Sequence, residues 1–324
     1  MIISRTPFRI SLAGGGTDLP DYYRECGGCV TAFTITKYMY ITVNKRFDHT
    51  LRVGYSKMEL VNTVDELEHP LVRVALQKTG LVSGVEVTSM ADIPAQTGIG
   101  SSSSFIVGLL NALYAYKGVH VSAERLARES CEIEIDVLGE PIGKQDQYLA
   151  AHGGLRFIEF NTDESVFCSP IICSPATKDE LLRYIQLYYT RMTRPAASVL
   201  KEQKAKTSVN KDVLGLMKEQ AEAIRDLLQK ERHIISIGDI LHQGWMLKRK
   251  LASNVSNSTI DGYYEAAMDA GALGGKILGA GGGGFLLLFV EPQNQAKVRQ
   301  ALSQLRLVDF GYEPQGSKII YVSD

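Results

Sequence analysis

The segment Pro94-Ala-Gln-Thr-Gly98-Ile-Gly100-Ser101-Ser102-Ser103-Ser104-Phe105 sets two glycines and four successive serines directly ahead of the apolar run IVGLLNALYAY. Glycines let backbone N–H groups turn toward an anion with no Cβ in the way, and the N-terminus of a following helix adds partial positive charge. Serine hydroxyls can then meet phosphate oxygens or a metal ion. Phosphate binding is the chemistry suggested; a glycine loop closed by a serine cap is the ordinary alternative for one such motif alone.

Two other glycine clusters test that reading. The pattern GxxxxGK[ST] occurs nowhere, which excludes an ordinary P-loop NTPase. Gly98-x-Gly100-x-x-Ser103 and Gly279-x-Gly281-x-x-Gly284 imitate the dinucleotide fingerprint, which requires strand, tight turn and helix in that order. The second match runs instead into the strand pattern FLLLFV, so NAD binding is not expected. The third cluster, Ala13-Gly14-Gly15-Gly16-Thr17-Asp18, ends a strand pattern in a carboxylate, which accepts hydrogen bonds from sugar hydroxyls when ionised. Capping of the DYY segment is the alternative role for Asp18.

Elements must hold these loops. Over the first ~90 residues RISLAG, CVTAFTI, YMYITVNKRF, LRVGYS and VEVTSMADI carry strand patterns and predict a sheet. Apolar residues on nearly every face predict a buried helix over 104–117, and a second helix is expected over 123–138 behind Ser122. Pro170 and Pro175 bracket a polar stretch where a domain boundary is placed, near 175. Beyond it, helices expected at about 209–231, 237–251 and 295–305 alternate with strands FLLLFV and KIIYVS, an α+β pattern.

Composition narrows the partners. A chain of 324 residues, 45% hydrophobic and 22% charged, suits two globular domains. With 35 Lys+Arg against 36 Asp+Glu it lacks the basic surface that nucleic acid or anionic lipid needs, so a small-molecule partner is expected. MIISRTPFRISLAGG has no signal-peptide pattern, no window reaches the ~18 apolar residues of a membrane span, and cytoplasm is the expected address. Five cysteines, an odd and sparse set, are expected to be reduced, and Cys26-Gly-Gly-Cys29 has no partner motif for zinc.

Taken in order, the three clusters resemble the motifs of the GHMP kinase superfamily. These are Pro7 to Asp18, Pro94 to Ser103, and Lys276 to Gly284. AGGGTDLPDYY, GEPIGKQDQYLAAHGG, YTRMTRPAASVL and GALGGKILGAGGGG further resemble the bacterial branch that phosphorylates D-glycero-D-manno-heptose 7-phosphate on its anomeric hydroxyl; L-fucose kinase domains share much of this. The resemblance implies a two-domain α+β fold, 1–175 like a ribosomal-protein domain and 176–324 ferredoxin-like, with the site between them. It implies ATP and a sugar phosphate as substrates, with Mg²⁺.

The roles it implies are as follows. Pro94, Gly98, Gly100 and Ser101 to Ser104 bind ATP, while Ser102 and Glu134 hold Mg²⁺, with Glu132 the fallback. Asp146 receives the proton of the attacking hydroxyl and Arg9 orients both. Gly15, Gly16, Thr17, Asp18 and Gly281, Gly282, Gly283 contact the sugar. Arg194 is the first choice for the substrate phosphate, ahead of Arg191, Lys248, Arg249 and Lys276. Gly15-Gly16 replaces the Glu-His pair of galactokinase, which argues against galactose, and Tyr189-Thr190-Arg191 departs from the branch's tyrosine-threonine-glycine. A silent sugar sensor on this scaffold should lack the base or a metal ligand, whereas Asp146, Glu134 and Ser102 are all present.

Overall fold

The computed structural model describes residues 1–193 and 196–323. The first part runs β1 (Ile2–Ala13), α1 (Pro20–Cys26), β2 (Gly28–Lys45), β3 (Leu51–Gly54), β4 (Met58–Val61), α2 (Pro70–Thr79) and β5 (Val85–Ala91). It continues through α3 (Ser101–Tyr116), α4 (Ala123–Cys131), α5 (Gln145–His152), β6 (Leu155–Phe160) and β7 (Val166–Pro170). The second part runs α6 (Pro175–Tyr184), β8 (Ile185–Tyr189), α7 (Ala196–Ala205), α8 (Lys211–Lys230), α9 (Ile237–Lys248) and α10 (Ser258–Asp269). It closes with β9 (Ala272–Ile277), β10 (Phe285–Val290), α11 (Gln295–Ala301), β11 (Arg306–Leu307) and β12 (Lys318–Val322).

Eight strands form one sheet, ordered β12-β1-β2-β5-β3-β4, with β6 and β7 continuing from β2. The runs CVTAFTI and YMYITVNKRF, read as separate strands, are one 18-residue strand. It is bent rather than broken: β1–β2 pairing slips between Pro7↔Tyr38 and Phe8↔Ile35. Proline has no N–H to give the ladder, so register shifts collect there. The lower half of β2 pairs with β6 and the upper half with β5, which splays the sheet around the site.

Helix α3 lies against β1 and β2 and is buried from Ser103 to Leu110 without interruption. Ser104 Oγ donates to Pro7 O (2.9 Å) and Ser4 Oγ to Gly108 O (2.8 Å), while a Cβ on Gly108 would stand 2.6 Å from Thr6 Oγ1. The helix therefore seats directly on the strand that carries Arg9. It begins at Ser101, three residues earlier than expected, because Gly100 supplies the left-handed turn (φ 77°) ahead of it.

Three helices the sequence reading omitted, α1, α2 and α6, begin at Pro20, Pro70 and Pro175. Proline is favoured in the first helical turn, where its missing N–H has no partner to lose, so these prolines start elements rather than interrupt them. The helix expected over 123–138 stops at Cys131 and gives way to a π-helical turn, Glu132–Val137, in which Leu138 N–H reaches Ile133 O.

The smaller sheet, β11-β8-β10-β9, is antiparallel, and β10 is buried along its whole length. Leu278, Phe285, Leu287 and Phe289 belong to the same buried cluster as β1, β2 and α3, so the two parts share apolar packing. We propose the division 1–175 and 176–324 because the two sheets part there, with one strand crossing back: β12 pairs with β1. Among the described residues no helix is long and apolar enough to cross a membrane, and all five cysteines are free.

Candidate active site

A cavity of about 780 Å³ opens where the end of β1, the serine loop, the start of α5 and the glycine run after β9 meet. That size suits a small-molecule site. At its centre Arg9 grips Asp146 with two bonds, Nε to Oδ1 (2.6 Å) and Nη2 to Oδ2 (2.7 Å), and Nη1 donates to Gly98 O (2.7 Å). Arg9 is 4% exposed, so this fork holds a desolvated guanidinium and fixes the carboxylate plane.

Asp146 stands in the first turn of α5 between two glutamines. Successive helical residues point about 100° apart, so three neighbours address three directions. Gln145 Nε2 donates to Asp18 Oδ2 (3.0 Å), Asp146 meets Arg9, and Gln147 Nε2 donates to Glu134 Oε2 (2.6 Å). One helical turn thereby ties three acidic groups into a fixed relation.

Glu134 is 1% exposed and accepts from Ser102 Oγ (2.6 Å) and Ser103 Oγ (2.8 Å) as well as Gln147. Burial pushes its carboxyl up to about 7, against the pull of those three donors. The π turn is what brings Glu134 beneath the serine loop, and such turns gather at functional sites. Ser104 N–H already bonds Gly100 O, whereas the amides of the first helical turn before it have no carbonyl within the helix. A helix N-terminus with free amides and small hydroxylated side chains is equipped to receive phosphate.

Asp18 is buried at the end of the glycine turn, and Gly16 N–H donates to its Oδ1 (2.8 Å). Burial raises its proton affinity, and the Asp146 charge adds to this. It does not cap α1, whose preceding residue is Leu19. Its partner loop leaves no spare room: a Cβ on Gly143 would lie 2.0 Å from Asp18 Oδ2.

The serine loop and the glycine run touch. A Cβ on Gly98 (φ 79°) would meet Leu278 O at 2.4 Å, and one on Gly284 (φ 86°) would meet Thr97 O at 2.2 Å. Gly98→Ala is therefore expected to lower stability by roughly 2 kcal/mol or more, from left-handed strain plus the clash; thermal melting checks it.

Of the residues singled out in the sequence, Arg9, Gly15, Gly16, Asp18 and Asp146 line this cavity. So do Gly98, Gly100, Ser101, Ser102, Ser103 and Glu134, together with Gly281 and Gly283. Thr17, Ser104, Pro94 and Gly282 are not among its lining residues. Thr17 is fully buried as a latch, its Oγ1 within 2.8 Å of Gly14 O and accepting from Cys29 N–H, so it serves the turn. Ser104 is turned down onto β1, Pro94 is exposed with its carbonyl accepting from Thr97 Oγ1, and Gly282 N–H is used on Val255 O. Arg194 lies outside the described residues.

The sequence reading missed the two glutamines, although QDQ after a glycine carries the signal: polar residues at successive first-turn positions fan outward. It also passed over His69, which stacks on Phe105 (5.1 Å between ring centres) and lines the cavity with its Nδ1 lacking a partner. Lys248 and Lys276 line the cavity too.

The family described as GHMP kinases N terminal domain matches residues 62–154, and GHMP kinases C terminal matches residues 216–306. The D-glycero-alpha-D-manno-heptose 7-phosphate kinase of Campylobacter jejuni is 29% identical over 98% of each chain. The L-fucokinase/L-fucose-1-P guanylyltransferase of Bacteroides fragilis is 27% identical over 94% of this chain, which spans 36% of that longer protein. Among solved structures, a D-glycero-D-manno-heptose 1-phosphate kinase from Bacteroides thetaiotaomicron superposes with a TM-score of 0.83 at 25% identity over the whole of both chains.

Proposed function

The chain belongs to the GHMP kinase family, and on that premise we propose that it transfers the γ-phosphoryl of ATP to the anomeric hydroxyl of D-glycero-D-manno-heptose 7-phosphate, giving the 1,7-bisphosphate. The observation that carries this reading is the Arg9–Asp146 fork at the centre of a cavity bordered by the serine loop and the Asp18 turn.

The first-turn amides of α3 and the hydroxyls of Ser101 to Ser103 receive the triphosphate. Asp18 accepts hydrogen bonds from sugar hydroxyls. The anomeric oxygen attacks the γ-phosphorus, the bond to the β–γ bridging oxygen breaks, ADP leaves, and the hydroxyl proton passes to Asp146. Phosphoryl transfer asks mostly for positioning and charge neutralisation, so a carboxylate gripped by arginine suffices as a proton acceptor. Two of its lone-pair sites face Arg9, and among the described residues no other side chain occupies the rest.

Ser102 Oγ and Glu134 Oε1, held 2.6 Å apart, are an oxygen donor pair of the kind Mg²⁺ takes alongside phosphate oxygens and water. Among the described residues no three His, Cys, Asp or Glu cluster to hold a metal unaided, which fits an ion that arrives with the nucleotide. Bound there, Mg²⁺ would neutralise developing charge on the phosphates.

An ADP-release assay with heptose 7-phosphate, dephosphorylated heptose, fucose, galactose and mevalonate tests the substrate. Heptose 7-phosphate is expected to give the highest kcat/KM by at least about tenfold, because a site built around a polar group rejects analogues lacking it. Turnover confined to a phosphate-free sugar would overturn the assignment in favour of the fucokinase-like reading. The ³¹P spectrum of the product reports the position phosphorylated.

A further inference from the structure

We propose that Lys248 and Lys276 form a second phosphate site, on the β9 side of the cleft, that takes up a phosphate dianion between two ammonium groups.

Lys248 closes α9 and Lys276 lies in β9; both line the cavity, yet they are only 8% and 7% exposed. Among the described residues neither makes an ion pair. Their bonds go to main-chain carbonyls: Lys248 Nζ to Ile277 O (2.9 Å) and to Gly279 O, and Lys276 Nζ to Leu12 O (2.9 Å). An ammonium has three donors, so two remain on Lys276 and one on Lys248.

Burying an ammonium without a counter-charge is unfavourable, and here two lysines lie within each other's field and that of Arg9. Arg9 is matched by Asp146; among the described residues no carboxylate matches the lysines. Burial, with Arg9 second, lowers Lys248 to about 7, and burial, with Lys248 and Arg9 behind it, lowers Lys276 as well, so an arriving dianion would hold protons on both amines. A cleft wall that retains such a pair gains when a dianion arrives.

The anchors locate the pair. Leu12 precedes the glycine turn that carries Asp18, so Lys276 stands at the sugar end. Gly279, the anchor of Lys248, packs on Gly98: its Cβ would fall 2.5 Å from Gly98 Cα. The pair thus bridges the sugar turn and the serine loop. Two dianions can come there, the ester already on the sugar and the γ-phosphoryl of ATP. The inference rests on the sugar kinase reading for its occupants, not for the pair itself.

Lys248→Met and Lys276→Met test it, with melting temperature, kcat and KM for heptose 7-phosphate and dephosphorylated heptose, and inhibition by inorganic phosphate. Both variants are expected to melt at or above the parent temperature, because an apolar isostere removes a desolvated amine. If the sugar's ester occupies the site, KM for the phosphorylated sugar rises about 10–100-fold and that for the dephosphorylated sugar holds. If the γ-phosphoryl occupies it, kcat falls about 10²-fold with every sugar while KM holds. In either case inhibition by inorganic phosphate weakens at least about tenfold.

Variants that melt lower and keep parental kinetics and phosphate inhibition would make the lysines interdomain clasps and overturn the proposal. A parent enzyme inactive on every phosphorylated sugar would defeat the substrate assignment alone; phosphate inhibition and kcat on the accepted sugar would still judge the pair.

Discussion

Asp146→Asn is expected to lower kcat by about 10²–10⁴-fold while Mg²⁺-ATP still raises the melting temperature of the variant. The substitution keeps the shape of the side chain but removes its charge and its capacity to take a proton. It also breaks one half of the fork, since an amide nitrogen faces an Arg9 donor where an oxygen stood. Arg9 then keeps Gly98 O and a single carbonyl as partners in a buried setting. Some loss of stability accompanies the loss of rate, because removing one partner of a buried pair leaves the other uncompensated. Nucleotide binding separates the two effects: the serine loop does not depend on the Asp146 charge for its amides. A kcat within about threefold of the parent would remove Asp146 from the chemistry, since general-base contributions are far larger than that.

Glu134→Gln is expected to do the opposite to stability. Glutamine preserves an acceptor for Ser102 or Ser103, and it relieves the protein of a desolvated carboxyl. The sign follows from linkage. Burial raises Glu134 from 4.5 to about 7, so between those pH values the folded chain holds a proton that the unfolded chain has released. Stability contributed by that proton is present below 4.5 and is lost as pH rises through 7, on the order of 3 kcal/mol in total. The variant lacks this decline and melts at or above the parent at pH 8. Its Mg²⁺-ATP affinity is expected to fall at least about tenfold, with turnover lost in proportion, because a neutral amide is a poor ligand for a hard cation. In the parent, Mg²⁺-ATP affinity should climb with pH up to about 7 and level off above it. Calorimetric titrations at pH 6 and 8 check the slope; a flat profile in the parent, or undiminished Mg²⁺-ATP affinity in the variant, counts against Glu134 as the metal carboxylate.

Much of this was legible in residue type and spacing. The three glycine clusters announce loops that approach something closely, and continuous apolar character around α3 announces a helix buried enough to hold one of them still. What was illegible depended on long-range pairing. Nothing local to Pro7 says that a strand partner 31 residues on will slip there, yet that slip joins two strand patterns into β2. Glu134 lies in a stretch with ordinary helical character, and the π turn that aims it is a response to packing. Pro175 reads as the edge of a polar stretch because the same residue ends one element and begins another, and only tertiary structure says which. Thr17 and Ser104 sit within motifs whose neighbours line the cleft, but alternate residues in turns and helices face opposite ways.

Pairing of β12 with the outer edge of β1 has a bearing on biosynthesis. The strand that bears Arg9 leaves the ribosome well before residues 318–322. Until β12 emerges, one side of β1 offers open backbone hydrogen-bonding groups, the kind of edge that recruits stray strands. Completion of the strand that bears Arg9 is thus deferred until residues 318–322 emerge, and chaperone dependence in the nascent chain should track the emergence of that segment.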